Sequence, residues 1–181
     1  SGATQSPAVV EGPRGAVSTD SIGSSAIHVV LVYPEIHWNT GNAGRTCLAT
    51  GATLHLIEPL GFSLDDREVK RAGLDYWEHL DLRVWASWDA FERELPGLGE
   101  PHFFSPKATR LVWDAPLGTS KGVVLVFGRE TDGLPAELRQ RYHDRLVAMP
   151  ILSPRVRSLN LSTSVALAVY EVLRQRRASS A

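Results

Sequence analysis

The chain has 181 residues, a net charge of −1, 43% hydrophobic residues and 22% charged residues, the make-up of one ordinary soluble globular domain. No apolar run approaches the ~20 residues needed to span a bilayer. A single cysteine, Cys47, excludes an intrachain disulfide framework and suits a reducing cytoplasm.

Residues 1–25 are rich in Gly, Ser, Pro and Thr and contain no aromatic. They lack the apolar area to offset the entropy of ordering, so a disordered extension is expected there. No basic segment leads into an apolar core, so no signal peptide is expected. The folded domain is expected over residues 26–178. Its first strand should be Ile27 to Tyr33, closed by Pro34. The next stretch, EIHWNTGNAGRTCLATGA, predicts a helix from about Gly41 to Thr50, capped by Asn39 or Thr40 and stopped by Gly51. Leu54 to Ile57 reads as a second strand. A loop with Pro59, Gly61 and Phe62 should lead into a polar helix from Asp65 to about Ala72. Leu82 to Trp85 is a third strand, followed by a helix capped by Ser87 and running to Leu95. His102 to Ser105 is a fourth, followed by a loop with Pro106, Lys107 and Pro116.

Two further apolar runs, Val123 to Phe127 and Leu146 to Met149, are stopped by Gly128 and Pro150, and a short helical segment is expected between them. Such runs read as buried strands of an α/β sheet. The last helix, from about Leu161 to Arg177, carries Val165, Ala168, Val169, Val172 and Leu173 at helical spacing. Strands alternating with helices imply a largely parallel sheet covered on both faces. Ligands in such sheets bind outside the carboxyl ends of the strands. The loops after the two apolar runs, expected to be adjacent, are therefore the candidate site.

Three polar stretches occupy positions of this kind. In FGRETDGLP, Gly128 and Gly133 allow positive φ and close approach of a ligand to the backbone. The spacing is neither Walker nor GxGxxG, which disfavours a triphosphate or dinucleotide. In NTGNAGR, Asn39 stands at a helix entrance and Arg45 within the helix, where a guanidinium can grip a phosphate. In SPRVRSLNLS, Ser158 and Asn160 precede the last helix, and Arg155 and Arg157 lie in the loop. Taken singly, each has an ordinary explanation: a tight turn, a helix cap, a solvated arginine. Arg67, Lys70 and Arg71 could likewise form a phosphate-binding face or a solvated one. Six histidines occur without an HxxxH or HxH pair, so no metal site is expected. No GxSxG is present. Cys47 falls on the apolar side of its helix and reads as core. Trp38, beside Asn39, is the tryptophan best placed to meet a base or cofactor.

In this order the three stretches are specific. NTGNAGR, FGRETDGLP and MPILSPRVRSLNLSTSVALAVYE, with IEPLGFSLDD and KRAGLDY between, make the chain resemble the SPOUT (SpoU–TrmD) methyltransferases. Within them it is most similar to the small, single-domain tRNA (cytidine/uridine) 2′-O-ribose methyltransferases of the wobble nucleotide. The resemblance covers about Ile27 to Gln175. It implies a C-terminal deep trefoil knot, a feature no base rate of folds would suggest. It also implies S-adenosylmethionine as cofactor, held by Phe104, Gly128, Met149, Ile151, Ser158 and Leu159, and no metal. Arg45, Asn39, Glu130, Ser158 and Asn160 fall on the family's catalytic motif positions. Arg155, Arg157, Arg67, Lys70 and Arg71 would face the anticodon arm of a tRNA, and the enzyme would be a cytoplasmic homodimer. Departures from the family pattern are Ala43-Gly44, Arg129 and His37-Trp38, which bear on base preference. The alternatives are a SPOUT enzyme acting on another tRNA position or on rRNA, and a non-catalytic RNA-binding factor on the same scaffold.

Overall fold

The computed structural model describes residues 19, 22, 23, 25–65, 74–119 and 121–179. The predicted N-terminal extension and the polar helix after Asp65, with Arg67, Lys70 and Arg71, lie almost wholly outside the described residues. In chain order the elements are β1 (Ile27–Val32), α1 (His37–Thr50), β2 (Thr53–Ile57), β3 (Leu82–Trp85), α2 (Trp88–Leu98), β4 (Glu100–Phe104), β5 (Val123–Phe127), α3 (Ala136–Arg141), β6 (Leu146–Val147) and α4 (Leu161–Ser179). Short 3-10 segments occupy Leu74–His79, Val112–Asp114 and His143–Arg145.

The six strands form one sheet in the order β3-β2-β1-β5-β4-β6, and every pairing is parallel. Every residue of β1, β2 and β5 is buried, because helices cover both faces. On one face, Val29, Leu31, Leu54, Leu125 and Phe127 pack with Cys47 of α1 and with Val165, Ala168, Val169 and Val172 of α4. On the other, Val30, Val32, Phe103, Val124 and Val126 pack with Trp88, Phe91 and Leu95 of α2 and Leu138 of α3. Glu92 ties α2 to α3 by accepting from Tyr142 Oη at 2.6 Å and Arg141 Nη1 at 2.7 Å. Among the described residues no helix is long and apolar enough to cross a membrane.

Several boundaries depart from the sequence expectations. Helix α1 begins four residues before Gly41, with Ile36 as its N-cap and no side-chain cap bond. Asn39 and Thr40 are therefore buried in its first turn rather than capping it. Gly51 ends α1 in the left-handed conformation, as expected. Ser87 Oγ accepts from Ala90 N at 3.1 Å, as a cap should, but α2 runs on through Pro96 to Leu98. Proline removes one donor and does not forbid the exposed turn that follows. The last strand is only two residues long, and beyond it Ala148 makes an isolated bridge to Leu111.

Candidate functional site

Strands β1 and β5 are neighbours, yet the chain leaves β1 toward β2 and leaves β5 toward the opposite edge. Their carboxyl ends form a topological switch point, where open α/β sheets hold their ligands. The two strands whose loops the sequence singles out are not neighbours in the sheet. Strand β4 lies between β5 and β6, because the last connection crosses over it.

The loop after β1 turns out of the sheet through Tyr33 at φ 56°, a left-handed conformation that costs a non-glycine residue energy. It is held from both sides. From the β2 loop, Gly61 N donates to Pro34 O at 2.9 Å. A Cβ on Gly61 would lie 2.5 Å from Glu35 O, so only glycine permits that approach. From the β5 loop, the Glu130 carboxylate accepts from Glu35 N at 2.9 Å and Ile36 N at 2.6 Å. Reciprocally, Glu35 Oε1 accepts from Thr131 N at 3.0 Å and Thr131 Oγ1 at 2.7 Å. These Thr131 bonds hold the Glu35 carboxyl below the usual carboxylate range. Residues 95 apart in sequence thus form a two-way clasp.

The clasp continues inward. Asn39 Nδ2 donates to Glu130 Oε2 at 3.3 Å, and Asn39 Oδ1 accepts from Asn160 Nδ2 at 3.0 Å. Asn160 Oδ1 accepts from Thr163 N at 3.2 Å and Ser162 Oγ at 2.7 Å, so Asn160, not Ser158, caps α4. One hydrogen-bonded chain therefore links Glu130, Asn39 and Asn160, three candidate residues from three sequence motifs. Glu35 and Thr131 belong to it and were not expected. A glutamate after Pro34 and a threonine after Glu130 carry no sequence signal that they will meet.

The other candidates lie around this chain. Ser158 is exposed, outside the network. Arg45 is exposed on α1, about 120° around the helix from Asn39, so the two do not share a face. Arg155 and Arg157 are exposed in the 150–160 loop. Phe104 ends β4 and stacks on Phe127 at 4.5 Å between ring centres. Strand register sets Phe104 beside Phe127 on one side and Val147 on the other. Phe104 thus ends β4 while Gly128 and Met149 lie just past the ends of β5 and β6, and Met149, Ile151 and Leu159 are half-buried.

Gly128 differs from its expected role. Its φ is not positive, unlike that of Gly133 at 69°. A Cβ there would meet the Gly133 carbonyl carbon and Leu134 N at 2.0 Å, so the glycine admits the returning chain itself. Two clefts border α3 on the opposite face of the sheet. One of about 350 Å³ is lined by Tyr33, Arg129, Asp132, Leu134 and Arg139. The other, of about 320 Å³, shares Arg139 and adds Lys107 and His143. None of the six cofactor candidates lines either cleft. Cys47 is fully buried, and burial pushes its thiol up to about 12, which removes it as a nucleophile. Among the described residues no group of three or more His, Cys, Asp or Glu could hold a metal ion.

An open, all-parallel sheet covered by helices on both faces, with a polar clasp at its central switch point, defines an α/β protein. The model of the SpoU rRNA Methylase family matches residues 26–170. A tRNA (cytidine(34)-2'-O)-methyltransferase from Burkholderia cenocepacia is 49% identical over 150 residues, covering 82% of this chain and 94% of the relative. A solved structure described as giving "structural insights into the 2-OH methylation of C/U34 on tRNA" is 44% identical with a TM-score of 0.78, covering 83% of this chain and 96% of that one. An AdoMet-bound rRNA methyltransferase from Sinorhizobium meliloti shares the fold, with TM-score 0.74 at 24% identity over 82% of this chain and 56% of that one. The chain belongs to the SpoU methylase family.

Proposed function

We propose that this chain transfers the methyl group of S-adenosylmethionine to the ribose 2′-oxygen of the wobble nucleotide of a tRNA, acting as a cytoplasmic homodimer on the anticodon arm. The observation that carries this reading is the Glu130–Asn39–Asn160 chain at the switch point. It stands in a protein 49% identical to a relative named for that reaction. As part of the same reading, the C-terminal segment forms a deep trefoil knot. The crossing of the β5–β6 connection over β4 is in keeping with it.

The residues present suit the cofactor. Phe104 at the end of β4 and half-buried Met149, Ile151 and Leu159 are neutral apolar residues suited to an adenine ring, with Gly128 and Ser158 contributing backbone. When bound, S-adenosylmethionine supplies a methyl group activated by a sulfonium. The chain's own residues do the rest. Glu130 fixes the backbone entrance of α1 through two amides. Asn39 transmits that position to the cap of α4. Arg45 holds a phosphate beside the 2′-hydroxyl and sets its direction of attack. A ribose hydroxyl is a poor nucleophile, no histidine joins the network, and its two carboxylates are engaged with backbone amides, Asn39 and Thr131, so alignment supplies much of the acceleration. Arg155 and Arg157, with Arg67, Lys70 and Arg71, complete the phosphate-binding surface, which two-fold pairing of subunits enlarges.

Calorimetry with S-adenosylhomocysteine and light scattering test this reading. Ligand at ~100 times its dissociation constant should stabilise the fold by about 2.7 kcal/mol. Scattering should give the mass of two chains, and tRNA affinity should fall steeply with salt. Absence of binding heat sinks the cofactor assignment. Binding of cofactor and tRNA without transfer to any ribose would leave the non-catalytic RNA-binding reading.

A further inference from the structure

Helix α1 turns one stripe to solvent. Its exposed residues are Trp38, Asn42, Arg45 and Ala49, and every other residue from His37 to Thr50 is buried or half-buried. At 3.6 residues per turn these four fall within a sector of about 60°. The stripe therefore presents an indole, a carboxamide and a guanidinium in line. Trp38 is 55% exposed, a large apolar surface to leave in water. It stands next to Asn39, whose side chain is locked between Glu130 and Asn160. The His37 ring lies alongside, 5.4 Å from the indole between ring centres.

We propose that this stripe reads the nucleotide whose ribose is methylated: its base stacks on Trp38, and Asn42, one turn on, hydrogen-bonds its edge. The inference rests on the function proposed above and adds two residues to it. An indole face accepts any base and rewards one splayed out of its strand. A carboxamide offers a donor and an acceptor side by side, so it matches a pyrimidine's polar edge whichever way it turns. Arg45 lies two turns from Trp38, about 10 Å along the axis, the reach from a base to a neighbouring phosphate. Its guanidinium supplies the charge that a nucleotide on this face requires. Trp38 and Asn42 are thus positioning residues, and the occupant is one unstacked nucleotide of RNA.

The test uses the full-length chain, unmodified tRNA, and the same tRNA with a fluorescent base analogue at the target position. Trp38→Ala should lower kcat/KM for tRNA about 5- to 150-fold, the range for loss of one base–aromatic stack. Trp38→Phe should recover most of it, and Asn42→Ala should lower it for cytidine and uridine alike. Affinity for S-adenosylhomocysteine and subunit mass should stay at wild-type values. Wild type and Trp38→Phe should quench the analogue on binding, and Trp38→Ala should not. A Trp38→Ala enzyme with wild-type kcat/KM and quenching overturns the proposal. So does a Trp38→Ala protein that falls to single chains in light scattering, which would make the stripe a subunit contact. If the wild-type chain methylates no tRNA, the function itself fails, a result separable from an active wild type insensitive to Trp38.

Discussion

Replacing Glu130 by glutamine removes charge from the clasp while keeping its shape. Glu130 Oε2 serves Ile36 N and Asn39 Nδ2, and Oε1 serves Glu35 N. A glutamine has one acceptor oxygen. Turned toward Ile36 and Asn39 it keeps two bonds but points an NH₂ at the Glu35 N–H. One charge-assisted bond is lost, a donor faces a donor, and the two surviving bonds become neutral. Such a change costs about 1.5–3 kcal/mol when dry. The Ile36 contact is open to solvent, so water replaces part of the loss and about 1–2 kcal/mol remains. For a chain of this size that lowers Tm by roughly 2–8 °C. Glu130→Ala loses all three bonds and should cost about 2–4 kcal/mol. Thermal and urea melts at pH 7 read both variants. Glu137→Gln, a control whose carboxylate pairs with Arg141 at the surface, should stay within about 0.5 kcal/mol of wild type. If Glu130→Gln and Glu130→Ala both melt within about 1 °C of wild type, the clasp does not hold the site together.

Two other outcomes follow from the interior. His55 and His102 are buried, and burial lowers them to about 3 and about 4; burial lowers His28 also. Their folded-state values lie below the unfolded value of about 6.5, so the stability they contribute is present above that pH. Denaturant melts should show it draining away as pH falls from about 6.5 toward 4, with a slope approaching 1.4 kcal/mol per pH unit for each histidine. A flat profile there would mean that these rings are hydrated. Gly128→Ala puts a methyl 2.0 Å from the Gly133 and Leu134 backbone. It should cost about 1–3 kcal/mol and weaken S-adenosylhomocysteine binding, read by melts and calorimetry. A variant as stable as wild type would show that the loop yields freely.

Much of the sheet is legible in the sequence, because both-face burial writes itself as uninterrupted apolar runs. Val123 to Phe127 matches its strand residue for residue; Leu82 to Trp85 does too, although this edge strand carries Arg83 and has no fully buried residue. The buried histidines run against that rule. His28 Nδ1 and His55 Nε2 are 2.9 Å apart, and Trp85 Nε1 donates to His55 Nδ1 at 3.0 Å. Two histidines share one hydrogen bond across neighbouring strands, which no single-strand pattern reveals. At the site, motifs identify Asn39, Glu130 and Asn160 but not how they join. Asn39 reads as a cap because asparagines before helices usually are caps. Here Glu130, from a loop 91 residues on, holds the helix entrance and frees Asn39 for the interior. Partners supplied from so far along the chain leave no local trace. The brevity of β6 is of the same kind: an apolar run to Met149 ends as a strand at Val147 because β4, its sheet neighbour, ends opposite at Phe104.

The most direct test of the account is single-turnover methylation of unmodified tRNA by wild type and Arg45→Ala, with bound S-adenosylhomocysteine measured separately. Wild type should place one methyl on the ribose 2′-oxygen of the wobble nucleotide. Arg45→Ala should bind the cofactor product as wild type does, because Arg45 lies on the solvent stripe of α1 and not at the ends of β4, β5 and β6. Its transfer rate should fall by about 100-fold or more, the loss of one well-placed charged group at a transition state. Normal turnover by Arg45→Ala, or a methyl found on a base atom, would contradict the account.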